Sequence, residues 1–227
     1  TLNGPQGSYA FDLEGLDSHA TNIPPAPSVI TAQSAAEQVE HYWAALLRDT
    51  PLEEFATSSL AAQAAADLNT MSYLRTTPNN IYPYPVTPQN LFRGQGFAGD
   101  GNVHGPHLSQ LLLQPTFYGA QPLDQMLQTF LPAQDFLTDP TEYQRVQNGF
   151  APAFTVQHDP VYRFLRDGRS LAAYTRVDAL HQAYFTAALV LLGLRTPANP
   201  GNPYIGSRTE HGFGTFGGPD ALGTVSE

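Results

Sequence analysis

Apolar residues return at helical spacing in several stretches of this chain, separated by segments rich in proline and glycine. The most apolar stretch is 176–193. There Val177, Leu180, Tyr184, Phe185, Ala188, Leu189 and Leu192 follow the helical period, and Ala179, Ala183, Ala187, Val190 and Leu191 fill most of the remaining circumference. The pattern predicts one buried helix, stopped by Gly193, around which the rest of the chain packs. It does not predict a membrane span. Asp178, His181 and Gln182 interrupt its first half, and the unbroken run from Ala187 to Leu192 is far short of roughly 20 residues. On this helix His181 is expected to be a core histidine, with Asp178 as its hydrogen-bonding partner.

Residues 31–50 predict an amphipathic helix with Ala35, Val39, Tyr42, Trp43, Leu46 and Leu47 on its apolar side. Thr50-Pro51-Leu52-Glu53-Glu54 then supplies a cap, a first-turn proline and first-turn acids. A second helix follows to about Leu74, broken near Thr57 to Ser59. Asp139-Pro140-Thr141-Glu142 starts another helix, Asp159-Pro160 starts one over Val161 to Arg169, and Pro219-Asp220-Ala221-Leu222 starts a last one. A short helix is expected from Pro106 to Leu113. The alternation of Met126, Gln128 and Phe130 with Leu127, Thr129 and Leu131 predicts a strand or hairpin. Residues 76–102 and 196–218 are Gly/Pro-rich loops. Residues 1–32, including Ile23-Pro24-Pro25-Ala26-Pro27, read as an extended arm that needs a surface, such as a neighbouring subunit, to order it. The predicted class is all-α, an arm over 1–32 followed by a helical body over 33–227.

Composition narrows the partners. Of 227 residues 41% are hydrophobic, enough for a substantial core. Asp and Glu number 20 against 10 basic residues, a formal net charge of -10. No basic face is available to release counterions from nucleic acid or to hold an anionic membrane. All ten basic residues are arginine, and cysteine is absent, which excludes disulfides and thiol chemistry. With two Met and one Trp, the chain is poor in readily oxidised side chains, as suits a protein near a strong oxidant. The N-terminus has no signal-peptide pattern, and Thr1 is not a start methionine, so upstream removal is expected.

The sequence contains several candidate sites. Gly212-Phe213-Gly214-Thr215-Phe216-Gly217 matches a dinucleotide-binding string but follows a loop instead of a buried strand, so close backbone approach is the expected role of its glycines. His104-Gly105-Pro106-His107, with Asp100 nearby, offers two imidazoles. The intervening proline forbids the two-histidine helix of a zinc protease, and a loop entering a helix at Pro106 is the expected reading. No nucleophilic triad, paired catalytic carboxylates or Walker loop stands out.

Several strings become specific together. They are Tyr42-Trp43-Ala44-Ala45-Leu46-Leu47-Arg48-Asp49, Leu91-Phe92-Arg93-Gly94, Gly105-Pro106-His107-Leu108-Ser109-Gln110, Val177-Asp178-Ala179-Leu180-His181-Gln182-Ala183-Tyr184-Phe185 and Gly212-Phe213-Gly214-Thr215-Phe216-Gly217-Gly218-Pro219. In this order, over about residues 30–227, they resemble the N-terminal half of the vanadium-dependent haloperoxidases, of the bromoperoxidase type found in red algae, cyanobacteria and other bacteria. Thr186 departs from the asparagine expected after Tyr-Phe. The resemblance implies a large helical-bundle fold and oxidation of halide by hydrogen peroxide at vanadate to halogenate organic substrates. It also implies that a lysine, several arginines, a Pro-Ser-Gly-His segment and a vanadium-linked histidine lie downstream of the glycine string. This chain lacks the lysine and that segment, so no catalytic residue is carried over.

The expectation is therefore a scaffold chain completed by a C-terminal catalytic half, a second chain that binds the vanadate, in a homo-oligomer of the two-chain unit. Glu227 is read as a cut. Arg93, His104 and His107 are expected to line the approach to the substrate cleft. Calcium, held by family members in the loop before the glycine string, has Glu210 as its side-chain ligand here; with a single acid in that loop, calcium binding is not the favoured reading. The other reading is a non-catalytic structural or assembly protein derived from the same framework.

Overall fold

Thr31 accepts a hydrogen bond from the Ser34 amide and starts α1 (Ala32–Leu46), as the capping pattern requires. In this computed structural model residues 25–76, 85–93, 105–209, 211–214 and 216–226 are described. Most regular structure among them is helical, in line with the all-α expectation. The chain divides into two compact units, residues 27–179 and a second that contains residues 180–227.

In the first unit the core lies between α1, α2 (Ser59–Leu68), α3 (Ser72–Thr76) and the turn over residues 85–93. Ala61, Ala64, Ala65 and Leu68 are buried at i, i+3, i+4 and i+7 on α2, and the three alanines let the neighbouring backbones come close. α1 answers with Ala36 and Leu47, both buried, and with Val39 and Trp43 packed on that cluster. Tyr42 and Leu46, expected on the same face, are instead exposed. Trp43 fixes this rotation, because its indole N–H donates to Asp67 Oδ2 on α2 at 2.8 Å. The second helix divides at Ser58, as predicted: residues Leu52–Thr57 form a 3-10 turn, and Ser58 caps α2.

The end of α1 is clasped to α5 (Gly168–Val177). Arg169, only 8% exposed, donates from Nε and Nη2 to the two carboxylate oxygens of Asp49, the Nη2 bond measuring 2.9 Å. The Ala133 amide donates to Asp49 Oδ2 at 3.0 Å, and Arg169 Nη2 also donates to the Gln134 carbonyl, so three segments meet at one carboxylate. Backbone bonds from Arg169 N to Arg48 O and from Leu52 N to Arg166 O run alongside. At Gly168 a Cβ would sit 3.2 Å from Arg48 Cα, which is why glycine opens this helix. The Arg169 hydrogen bonds hold the Asp49 carboxyl below the usual carboxylate range.

Several expectations are corrected. The predicted helix 176–193 is two helices: Asp178 is extended at ψ 146°, ending α5, and α6 (Gln182–Gly193) starts after His181, whose φ of 50° is left-handed. Aspartate is a weak helix-interior residue, and it breaks the run. His181 is exposed, not a core histidine, and α6 is not the buried centre, since Tyr184 is 75% and Leu192 43% exposed. Asp159 does not start a helix. Its carboxylate pairs with Arg163, and extended bridges from Leu127 to Arg163 and from Phe130 to His158 occupy the segment. The 126–131 strand is reduced to those bridges; the hairpin is β1 (Thr116–Tyr118) with β2 (Gln121–Leu123), antiparallel with Phe117 opposite Pro122. The expected helix Pro106–Leu113 is a single 3-10 turn over Gln110–Leu112.

Other local signals are matched. Asp139 caps α4 (Pro140–Gln147) by accepting from the Glu142 amide at 2.8 Å. In the second unit α6 packs on α7 (Gly218–Ser226), near its expected start. The glycine string before α7 is a tight loop in which a Cβ on Gly217 would strike the backbone of Gly212 and Phe213. Thr186 is buried and donates to the Gln182 carbonyl at 2.7 Å, a local replacement for the amide expected there. The arm expected over 1–32 lies mostly outside the described residues.

Arg169→Ala removes both charge-assisted bonds while leaving Asp49 largely enclosed. The expected loss is about 3 kcal/mol, the low edge for breaking a buried charge pair because Asp49 keeps some solvent. Urea midpoints of the two proteins measure it, and a loss under about 1 kcal/mol shows that the clasp is dispensable.

Candidate functional site

The strongest candidate pocket among the described residues of the first unit forms where the 85–93 turn meets the 3-10 turn at Leu52–Thr57 and the strand leading into α5. Asn69 on α2 pins the turn in both directions: its Nδ2 donates to the Val86 carbonyl at 2.7 Å, and its Oδ1 accepts the Val86 amide at 3.0 Å. Asn90 closes the turn from within by accepting the Thr87 amide and donating to the Pro85 carbonyl. Leu91 is thereby fully buried, and Phe92, at φ 58°, turns its ring edge-on to Phe55 at 6.0 Å.

His107 is positioned by this turn. Its ring lies edge-on to Phe55 at 5.4 Å, and Nε2 is 3.0 Å from the Leu91 carbonyl. A carbonyl only accepts, so Nε2 carries the proton. Burial pushes the imidazole below its ordinary pKa and the Arg93 charge adds to this, while the Leu91 bond opposes it. The ring is therefore neutral at pH 7, with Nδ1 left as an acceptor.

His107 lines a cavity of about 340 Å³. Phe55, Leu108, Leu113 and Leu165 supply apolar walls, and Glu53, Gln110 and Arg166 supply polar groups. The Arg166 guanidinium is held by Asp167 at 3.0 Å, beside the α5 cap where Asp167 and Ser170 bond reciprocally. The chemistry available is hydrogen-bonded retention of a small, mostly apolar molecule, since no hydroxyl or thiol nucleophile lies beside the imidazole.

Of the residues expected from sequence, Arg93 and His107 are brought together. Arg93 is buried, not facing the cavity: its guanidinium donates to the Gly105 and Gln89 carbonyls, and it braces the loop that carries His107. His104 and Glu210 lie outside the described residues. Phe55, Glu53, Leu165 and Arg166 were not anticipated as lining. The Asp167-x-x-Ser170 capping pattern was the signal that would have ended the loop at Arg166 and left Leu165 free to face inward.

The His107 cavity does not suit an oxyanion such as vanadate. The chain has no lysine, and Arg48, Arg145, Arg163, Arg166 and Arg169 are each matched to a carboxylate. The His107 cavity contains one arginine, already paired, so it presents no convergent positive charge. Among the described residues no cluster of three or more His, Asp or Glu side chains is arranged to hold a metal ion.

No family model matches the chain. It is 32% identical over 218 residues to a vanadium-dependent bromoperoxidase of Ascophyllum nodosum, covering 95% of this chain and 39% of that protein. To a vanadium-dependent bromoperoxidase of Corallina officinalis it is 30% identical, covering 96% of this chain and 42% of the relative. Its fold matches the homohexameric structure of the second vanadate-dependent bromoperoxidase of Ascophyllum nodosum with a TM-score of 0.78 at 26% identity, over 97% of this chain and 36% of that one. The chain thus spans about two fifths of the length of the relatives it matches.

His107 binds its proton less readily folded than unfolded. Its contribution to stability is present above the unfolded value of about 6.5 and is lost as pH falls through the lower folded value, with a slope of at most about 1.4 kcal/mol per pH unit. His107→Gln keeps a donor for Leu91, and its urea midpoint should fall less steeply between about pH 7 and 5. An unchanged slope would show that another group sets the dependence.

Proposed function

Over nearly its whole length this chain is homologous to part of the vanadium-dependent bromoperoxidases, and on that basis we propose that it is the scaffold portion of a vanadate-dependent haloperoxidase. In this reading halide is oxidised by hydrogen peroxide at a vanadate site carried by a second chain, the C-terminal catalytic half, and the two-chain unit assembles into a homo-oligomer. The observation that carries the reading is the coverage: 95–96% of this chain aligns to only 39–42% of each relative. The absence of lysine and the pairing of Arg48, Arg145, Arg163, Arg166 and Arg169 with carboxylates support placing the oxyanion-binding residues elsewhere.

Two further features support it. Leu191 and Leu192 at the end of α6 and Leu194 just past it are exposed, and Leu180, Tyr184 and Phe213 of the same unit are exposed as well. A surface this apolar suits cover by more polypeptide. The His107 cavity is a candidate for the organic substrate's approach, with His107 accepting a hydrogen bond and Arg93 bracing the Gly105 carbonyl beside it; His104, three residues before His107 in sequence, is proposed for the same approach from the sequence alone. Calcium binding at Glu210 is not part of the reading.

Vanadium-stripped protein supplied with vanadate, bromide and hydrogen peroxide should brominate a phenolic dye only when a second polypeptide accompanies this chain. Intact-mass analysis with peptide sequencing identifies that polypeptide. Vanadate-dependent turnover by this chain alone overturns the division of labour. A complete two-chain assembly without turnover favours the non-catalytic structural reading.

A further inference from the structure

A second cavity of the first unit, about 470 Å³, lies between the end of α1, one face of α5 and the 130–138 segment, and shares no residue with the His107 cavity. Its volume falls within the roughly 300–1,000 Å³ of small-molecule sites. Gly168, Ala172, Ala173 and Arg176 fall on one helical face of α5, and the small residues leave the space unfilled. Across from them Phe130 and Phe136 form an edge-to-face pair at 5.6 Å, and Phe154 backs Phe136 at 5.2 Å, so the aromatic wall is held from behind.

The charges at the rim are unequal. Arg48 is matched by Asp135, and Arg169 by Asp49. Arg176 is exposed and makes no hydrogen bond or ion pair among the described residues. Among the described residues, the Arg176 guanidinium therefore stands uncompensated at the edge of a mostly apolar space. A planar carboxylate suits it, since two parallel N–H bonds can reach both oxygens. A dianion such as phosphate suits it less well, because only one positive charge is free and Asp135 stands on the same rim.

We propose that this cavity binds a small amphipathic monocarboxylate, with its hydrocarbon part between the phenylalanine pair and the α5 alanines and its carboxylate on Arg176. The assignment is independent of the haloperoxidase reading.

Decanoate is the probe, with 1-decanol as a neutral molecule of the same chain length, titrated calorimetrically into the purified protein in its native assembly. Decanoate should saturate one site per chain. Arg176→Ala, a change at an exposed position, should weaken decanoate by about tenfold or more, the loss of a charge-assisted pair, and leave decanol unaffected. Ala172→Phe, also at an exposed position, should fill the space and abolish both, with unchanged circular dichroism showing that the fold persists. Absence of saturable binding, or decanoate binding untouched by both substitutions, overturns the proposal. So does inorganic phosphate binding at the same Arg176-dependent site as strongly as decanoate. If the wild type does not bind and Ala172→Phe dissociates the assembly, the cavity belongs to a neighbouring subunit and the proposal fails.

Discussion

The Asp49 carboxylate is the point on which the first unit turns. It receives Arg169 from α5, the Ala133 amide from the loop ahead of α4, and the nearby charge of Arg48 from the end of α1. Segments 84 and 120 residues away in sequence are tied to one pair of oxygens. Such a carboxylate is expensive to enclose unless every oxygen is bonded, and here both are. The clasp sets the separation between α1 and α5, and with it the open space of the cavity at Arg176. Through the adjoining Leu52 to Arg166 backbone bond it also sets one wall of the cavity at His107.

An all-arginine basic set takes on meaning in this setting. A guanidinium can engage a carboxylate and a carbonyl at once, as Arg169 does with Asp49 and Gln134, and Arg145 does with Glu142 and the Ala151 carbonyl. Arg48, Arg93 and Arg169 each bond to segments 12 or more residues away, and so tie separate stretches of the chain together. Arg48, Arg145, Arg163, Arg166 and Arg169 direct their charge to carboxylates of this chain. Arg176 differs because its helix face borders space instead of a carboxylate.

The two cavities differ in kind for the same reason. At His107 a half-buried, neutral imidazole stands among apolar walls with a few polar groups, and its neutrality follows from partial burial beside Phe55 and Leu91. At Arg176 the walls are more apolar, but the exposed cation keeps its hydration until a partner arrives. One site selects by shape and a single hydrogen bond, the other by charge at its mouth.

Local chemistry was legible in the chain: the caps at Thr31, Ser58 and Asp139, the tight glycine loop before α7, the break after Thr57 and the resemblance to bromoperoxidases all rest on neighbouring residues or contiguous strings. Hydrophobic periodicity alone misplaced the centre. A helix apolar all round such as α6 names no face, so periodicity could not distinguish a buried element from one that stays largely exposed. The Asp159 segment shows the same limit, since a cap and a proline were outweighed by an ion pair to Arg163 and by bridges to Leu127 and Phe130, more than 25 residues away. Both cavities were likewise decided by tertiary structure, because their walls come from segments far apart in sequence. Sequence determines which turns begin and end; only the folded chain determines which faces meet, because that depends on long-range contacts whose enthalpy and packing no short window contains.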